Sequence, residues 1–134
     1  MRCLILHCKS FAYALDHPTS VAEEANPNDP KQFVNCLVVF ASAEMQDSNI
    51  TAESASIEVA KIAKLVKAES VLLNPFAHLS NSLAKPKQAI QVLKTMAGQL
   101  ASQGIQVYYS PFGWYKEFSF DVLAHNSSQL FRSF

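Results

Sequence analysis

Short, nearly continuous apolar runs recur along the chain and predict the strands of a buried β-sheet. The first run centres on Leu4 to Leu6, and the second, around Val38, is too apolar for a strand with one face in water. Pro75 stops the third run, because proline has no backbone N–H to offer a neighbouring strand. The predicted strands cover Arg2–His7, Phe33–Ala43, Glu69–Asn74, Ile105–Tyr109 and Tyr115–Leu123.

Two longer segments carry apolar residues at the spacing of amphipathic helices. The first helix is predicted over Ala52–Lys67, with Thr51 as its N-cap. The second is predicted over Pro86–Gln103, with proline in the first helical position and Gly104 at the C-terminal cap. Between the first two strands, Asp16–Lys31 collects three of the six prolines, which predicts a surface loop within the domain.

The resulting element order is β, β, α, β, α, β, β, which predicts an α/β domain. Two main helices are expected to pack on a mixed β-sheet. The last two strands are joined by Ser110–Trp114, a connection short enough for an antiparallel hairpin. With 134 residues, of which 49% are hydrophobic, the chain is long enough to close around one core, so we predict a single domain over residues 1–134.

The charge balance excludes a broad nucleic-acid-binding surface. Eleven Lys and Arg residues oppose 11 Asp and Glu residues, so any contact with nucleic acid has to be local. No apolar run approaches the ~20 residues that span a bilayer, and Arg2–Cys8 is too short for a signal peptide. The three cysteines have no CxxC spacing, and Cys3 and Cys8 are expected on opposite faces of a strand. These features predict a cytoplasmic protein with reduced thiols and no membrane partner.

Several kinds of catalytic site are excluded because their motifs are missing. Four histidines and three cysteines are potential metal ligands, but none falls in HxxxH, HExxH or CxxC spacing, so no dedicated metal site is predicted. The sequence also lacks the GxSxG motif of serine hydrolases. GxxxxGK(S/T) and GxGxxG are absent too, which argues against ATP and NAD sites, and no cofactor is predicted.

Two segments carry an unusual concentration of chemical groups. Asn74–Ser80 and Ser110–Lys116 both begin with a polar residue followed by Pro-Phe, directly after an apolar strand. They are expected at one edge of the sheet, where α/β proteins bind ligands outside the carboxyl ends of strands. There they would offer main-chain carbonyls, aromatic rings, an imidazole and an ammonium. The alternative is that the aromatic rings only fill the core or its rim and that Lys116 is a solvated charge.

These segments also carry a resemblance to a known family. Pro75–Ser80 (PFAHLS), followed by Leu83–Pro86, and Pro111–Lys116 (PFGWYK) closely resemble the N-terminal editing domain of archaeal threonyl-tRNA synthetases. Met1–His7 and Val38–Glu44 are similar to the same family. The resemblance covers almost the whole chain and implies a fold like that of D-aminoacyl-tRNA deacylases. It also implies hydrolytic removal of serine wrongly attached to threonine tRNA, with a neighbouring ribose hydroxyl helping to activate a water molecule.

The resemblance implies roles for individual residues. By motif position, Lys116 and Tyr115 correspond to the catalytic-site pair, and His78 to the imidazole that governs substrate choice. A glutamate of the family corresponds loosely to Gln129 here, within His125–Gln129, which departs from the family pattern. The residues implied to line a seryl-adenosine pocket, largely through main-chain atoms, are Ala43, Pro75, Phe76, Ala77, Phe112 and Gly113.

The implied partners are the serine-bearing 3′ end of tRNA(Thr) and, by analogy with the related fold, a second copy of the chain. The family's synthetic and anticodon-binding domains do not fit in 134 residues, so we expect a fragment of a larger synthetase or a free-standing editor. One alternative is a D-aminoacyl-tRNA deacylase, whose SxQFT and NxGPxT patterns are here replaced by Ser42–Met45 and Ser110–Gly113. The other is a non-catalytic module that binds the tRNA end or a protein.

Overall fold

A long antiparallel pair forms the centre of the sheet. The computed structural model describes every residue from 1 to 134, and in it β1 (Arg2–Pro18) pairs with β2 (Lys31–Ser42) from Arg2 opposite Ser42 to Tyr13 opposite Lys31. β3 (Ser70–Pro75) is parallel to β2, and β4 (Val107–Tyr109) is parallel to β3. The sheet therefore combines antiparallel and parallel pairing, as predicted.

The other side of β1 is shared by two strands. β5 (Trp114–Val122) pairs with its second half, and β6 (Gln129–Ser133) pairs with its first half. The sheet order is β4-β3-β2-β1-β5, with β6 beside β1. The predicted hairpin between the last two predicted strands is wrong, because β4 pairs only with β3 and the chain then crosses to the far edge of the sheet.

Two helices cover one face of the sheet. α1 (Asn49–Val66) and α2 (Pro86–Ser102) contact each other and contribute the small residue Ala55 and the larger Val59, Leu93 and Met96 to the main core. The sheet supplies the facing residues of that core, including Ile5, Leu37, Val39, Val71 and Leu73. Neither helix is long and apolar enough to cross a membrane.

A second core lies on the opposite face and includes a cluster of aromatic rings. Phe120 of β5 stacks on Phe11 with ring centroids 5.4 Å apart, and Phe118 meets Phe40 edge-on at 5.6 Å. Cys8 belongs to this second core and Cys3 to the first, which confirms their prediction on opposite faces. All three cysteines are free thiols.

Several predicted boundaries are wrong for identifiable reasons. β1 continues past His7 to Pro18. The continuous apolar run at its start is followed by alternating apolar residues, and this pattern also suits a strand. Ser48 rather than Thr51 caps α1, and Thr51 instead accepts a hydrogen bond from the Ser48 amide in a capping box. β6 was not predicted, because an edge strand with so few apolar residues carries little periodic signal.

The start of β1 is fixed by a buried cluster of charges. The Met1 ammonium donates to Asp47 Oδ1 at 2.6 Å and to Glu44 Oε2 at 3.2 Å. Glu44 Oε1 accepts from Arg2 Nε at 3.0 Å and from the Ser80 hydroxyl at 2.5 Å. The Ser80 hydroxyl, together with the Met1 ammonium and Arg2, lowers the pKa of Glu44 to about 2. Glu44 therefore joins the first strand to the segment that follows β3.

Replacing Glu44 by glutamine is expected to destabilise the domain. Glu44→Gln leaves a buried ammonium with one carboxylate instead of two, and breaking a buried pair of this kind typically costs about 3–5 kcal/mol. Urea denaturation at pH 7 measures the loss. Glu53→Gln, on an exposed face of α1, is the matched control and should change the free energy of unfolding by less than about 0.5 kcal/mol.

The same substitution has a predicted pH signature. A carboxyl whose pKa falls from 4.5 to about 2 on folding stabilises the native state above pH 4.5, and this contribution is lost as the pH falls towards 2. The difference in unfolding free energy between wild type and Glu44→Gln should therefore shrink between pH 7 and pH 3. A difference that stays constant over this range would contradict the role assigned to the Glu44 charge.

Candidate active site

A cavity of about 290 Å³ opens where β2 and β3 end side by side. Its walls come from the ends of these two strands, from α2, from the loop after β1 and from the turn after β4. Most of the lining side chains are hydrophobic, so polar recognition there depends largely on main-chain groups. The predicted site residues that line it are Ala43, Pro75, Phe76, Ala77, Phe112, Gly113 and Tyr115.

Hydrogen bonds from Ser42 fix the conformation of the segment after β3. The buried Ser42 hydroxyl donates to the carbonyl of Phe76 and accepts the Leu79 amide at 3.2 Å. The Phe76 amide in turn donates to the Ala41 carbonyl at 3.0 Å. The Ala77 amide takes part in none of the intramolecular hydrogen bonds, and the Ala77 carbonyl stands at the start of the turn formed by His78 and Leu79.

The turn after β4 requires glycine at position 113. Gly113 has φ of +78°, and a Cβ atom there would lie 2.7 Å from the Cα of Ala22. The amide and the hydroxyl of Thr19 both donate to the Gly113 carbonyl, at 2.8 and 2.7 Å. The loop after β1 is therefore packed directly against the Phe112–Gly113 turn, and together they form one wall of the cavity.

Glu23 makes the second connection between this loop and the turn. Its carboxylate accepts the Phe112 amide at 2.9 Å and pairs with Lys94 of α2, while its carbonyl accepts the indole N–H of Trp114 at 2.8 Å. Partial burial opposes ionisation of Glu23, but Lys94 and the Phe112 amide outweigh it and lower its pKa. One ionised side chain thus fixes the loop, the turn and α2 relative to one another.

Lys116 is not one of the residues that line the cavity. Its Nζ donates to Ser110 Oγ at 3.0 Å and lies 3.4 Å from Asn74 Oδ1. Both partners are buried, and the Ser110 hydroxyl donates to Asn74 Oδ1 at 2.5 Å. Burial lowers the pKa of Lys116 to about 8, against a smaller opposing effect of Glu23. The environment that lowers this pKa cannot be read from the sequence.

Tyr115, Lys116 and His78 occupy different surroundings. Tyr115 is exposed at the mouth of the cavity, where its ring stacks on His17 with centroids 4.4 Å apart. His78 is also exposed, meets Phe76 edge-on at 5.0 Å, and lines an adjoining polar cavity of about 260 Å³ with Arg2. Neither side chain is hydrogen-bonded to the Lys116 ammonium.

Gln129 is not brought to the cavity. It begins β6, opposite Leu6, with an exposed side chain. Seven members of the predicted set line the cavity at the ends of β2 and β3, whereas Gln129 does not. The loose family correspondence at Gln129 therefore has no counterpart in the geometry. No three side chains among His, Cys, Asp and Glu are arranged to hold a metal ion.

The most informative residues missed by the sequence reasoning are Asn74 and Ser110. Each is the polar residue directly before a Pro-Phe pair at the end of an apolar strand, and that shared position was a usable signal. Ser42, Thr19 and Glu23 had no comparable signal, because their roles depend on contacts with distant segments.

Comparisons with known proteins identify the family of the chain. Residues 1–134 match the family described as the archaea-specific editing domain of threonyl-tRNA synthetase. The chain is 42% identical over 136 residues to a threonine–tRNA ligase of Staphylothermus marinus, and 38% identical over 136 residues to one of Methanopyrus kandleri. These alignments cover 97% and 99% of the chain, but it spans only 22% of the length of each ligase.

Among solved structures, the fold is similar to that of c-Myc DNA Unwinding Element Binding Protein. The TM-score is 0.76, with 99% of this chain and 98% of that chain covered at 9% sequence identity. At this identity the likeness shows the fold alone, and it confirms the predicted α/β fold with two helices on a mixed sheet. Because the family match extends over the full length, the chain belongs to the archaea-specific editing domain family of threonyl-tRNA synthetase.

Proposed function

We propose that this domain hydrolyses the ester bond of serine mistakenly attached to tRNA(Thr) and spares Thr-tRNA(Thr). The observation that carries the proposal is the half-buried Lys116 ammonium, held by Ser110 and Asn74, each of which directly precedes a Pro-Phe pair whose phenylalanine lines the cavity. Membership of an editing-domain family supports the same reaction class.

The need for such a reaction follows from the small difference between the two amino acids. Serine lacks one methyl group of threonine, and a methyl-sized difference provides only about 1–3 kcal/mol of discrimination in a synthetic site. A second site that accepts the smaller amino acid and excludes the larger one can supply the remaining discrimination. The mostly apolar cavity at the ends of β2 and β3 would be this second site.

Binding of the substrate would rely on the groups left free at the cavity. Main-chain groups near Pro75 and Ala77, which both line the cavity, would hold the amine of the seryl group. Phe76 or Phe112 would lie against the terminal adenine, and stacking of this kind is typically worth about 1–3 kcal/mol. Ala43 and Gly113 would close the remaining space around the amino acid.

Lys116 would act mainly as a cation. With a pKa of about 8, about nine-tenths of the Lys116 side chains carry a charge at pH 7. The ammonium would orient the attacking water or stabilise the oxyanion that develops on the ester carbonyl. The ribose hydroxyl next to the ester would help to activate that water. Tyr115 at the mouth would contact the bound tRNA end.

The wider setting of the domain is part of the same proposal. The partner would be the 3′ end of tRNA(Thr), contacted locally because the net charge of the chain is zero. The domain would act in the cytoplasm, without a cofactor, either as a homodimer or joined to the synthetic and anticodon-binding domains of a threonyl-tRNA synthetase. Gln129 would lie outside the contact with the seryl group.

Parallel incubation with Ser-tRNA(Thr) and Thr-tRNA(Thr) tests the proposed selectivity. Hydrolysis of the serine ester is expected, with the threonine ester largely intact, because the cavity has to exclude one methyl group. A tRNA carrying serine on the 3′ oxygen of a terminal 2′-deoxyadenosine should react much more slowly, since it lacks the assisting hydroxyl.

Three results would contradict this proposal in different ways. Equal hydrolysis of both esters would indicate a general deacylase without editing selectivity. Hydrolysis of D-aminoacyl-tRNA with no effect on Ser-tRNA(Thr) would identify the D-aminoacyl-tRNA deacylase alternative. Binding of the tRNA end without turnover of any ester would leave a non-catalytic module.

Lys116→Met is expected to reduce single-turnover deacylation of Ser-tRNA(Thr) at least about a hundredfold, because it removes one preorganised charge from the site. The melting temperature should be nearly unchanged, since burial of the ammonium is itself unfavourable. Lys61→Met, on an exposed part of α1, is the matched control and should keep full activity. Near wild-type turnover in Lys116→Met would remove Lys116 from the proposed mechanism.

His78→Ala is expected to change selectivity more than rate. The imidazole is exposed and has no carboxylate partner that would make it a general base, but it contacts Phe76 of the cavity wall. The ratio of Ser-tRNA(Thr) to Thr-tRNA(Thr) hydrolysis should therefore shift while serine hydrolysis persists, and His125→Ala serves as the control. A thousandfold loss in a folded His78→Ala protein would instead indicate a catalytic acid or base.

A further inference from the structure

The ammonium of Lys116 is held by uncharged groups alone. Its two hydrogen-bond partners are Ser110 Oγ and Asn74 Oδ1, and no carboxylate lies within ion-pair distance of Nζ. The nearest acidic influence is Glu23, whose carboxylate is engaged with Lys94 and with the Phe112 amide. The positive charge of Lys116 is therefore stabilised by dipoles without being neutralised.

The direction of each hydrogen bond in this group is determined by its chemistry. An ammonium can only donate, so Ser110 Oγ has to accept from Lys116 and to direct its own hydrogen towards Asn74 Oδ1. Asn74 Oδ1 then accepts from Ser110, with Lys116 Nζ approaching the same atom. While Lys116 is charged, the donor and the acceptor of each hydrogen bond among Lys116, Ser110 and Asn74 are therefore determined.

The backbone fixes both acceptors. Asn74 is near the end of β3, in register with Phe40 of β2, and its side chain is fully buried. The Ser110 amide donates to the Leu73 carbonyl at 3.1 Å, which places Ser110 beside the end of the same strand. Each residue immediately precedes a proline of a motif segment, and Pro75 lines the cavity.

We infer that Ser110 and Asn74 are positioning residues, which hold the Lys116 ammonium through neutral acceptors and so govern its protonation during deacylation. This inference rests on the proposed function for its catalytic part. Neither residue is assigned contact with the substrate, and both act through Lys116.

The neutrality of the acceptors has a consequence for catalysis. A carboxylate in place of Asn74 would stabilise the ammonium more strongly, but it would also cancel the field that Lys116 exerts on the cavity. Neutral dipoles keep the cation in place and leave its field available to a developing oxyanion. Asparagine and serine therefore suit a catalytic cation, whereas aspartate would suit a structural ion pair.

Two substitutions should move the titration of Lys116 in opposite directions. Ser110→Ala removes an acceptor of a charged hydrogen bond, so the midpoint measured for Lys116 should fall by about one pH unit. Asn74→Asp adds a negative charge within reach of Nζ, so the midpoint should rise by about one pH unit or more. The full chain, labelled with ¹³C-lysine, is titrated by NMR without substrate, and Lys116→Met identifies the Lys116 signal.

Single-turnover deacylation of Ser-tRNA(Thr) between pH 6 and pH 9 provides the second measurement. In wild type, the rate should lose its Lys116-dependent part as the pH rises through the Lys116 midpoint. Ser110→Ala should show this loss about one pH unit lower and recover at pH 6. Asn74→Asp should be about tenfold or more slower at pH 7 even though Lys116 is more fully protonated, because its field is cancelled.

Ser56→Ala is the matched control, since Ser56 is another buried serine whose hydroxyl bonds within α1, remote from Lys116. It should leave both the Lys116 titration and the deacylation profile unchanged. If Asn74→Asp does not fold, the two measurements on Ser110→Ala decide the test by themselves. Ser110→Ala is the smaller change, because it removes a single oxygen atom.

The outcomes separate this inference from the proposed function. Opposite displacements of the Lys116 midpoint, matched by the deacylation profiles, support it. An active wild type whose Lys116 titration or pH profile is unmoved in folded Ser110→Ala overturns the positioning role and leaves the proposed function standing. A wild type inactive on Ser-tRNA(Thr) at every pH overturns the proposed function and with it the catalytic part of this inference.

Discussion

The antiparallel pairing of β1 with β2 is the interaction on which both cores depend. Cys8 and Phe11 lie three positions apart in β1, and Phe33 and Cys36 lie three positions apart in β2, yet all four contribute to the second core. In regular strands such residues would face opposite sides of the sheet. The change of face occurs at Asn35, which has φ of +45° and a side chain hydrogen-bonded to the Lys67 carbonyl. Asparagine tolerates this left-handed conformation better than most residues do.

The change of face allows one pair of strands to support two different structures. Its first half presents one side to α1 and α2, while its second half presents apolar side chains to β5. Because β4 and β5 are at opposite edges of the sheet, the turn between them passes the ends of β2 and β3. The cavity is formed at that passage, so its position is a consequence of the strand order.

The buried Met1 ammonium and the half-buried Lys116 ammonium have hydrogen-bond partners of opposite character. The Met1 ammonium is bonded to two carboxylates, Asp47 and Glu44, which neutralise it within a network that secures the first strand. The Lys116 ammonium has only the neutral acceptors Ser110 and Asn74. A buried charge with a counter-charge favours structure, whereas one held by dipoles retains its field and is easier to deprotonate. The contrast distinguishes the anchoring cluster from the candidate site within the same small molecule.

The sequence by itself determined the α/β class, both helices, the apolar strands, and the two Pro-Phe segments that line the cavity, because these depend on local periodicity and on proline. Strand partners, the crossing from β4 to β5 and the position of Gln129 required the tertiary structure, since a short connection fits a hairpin as well as a crossing. The surroundings of Lys116 were also decided only there. Burial among Asn74 and Ser110 brings together residues 42 and six positions away in sequence, and no local pattern encodes the loss of water that lowers its pKa.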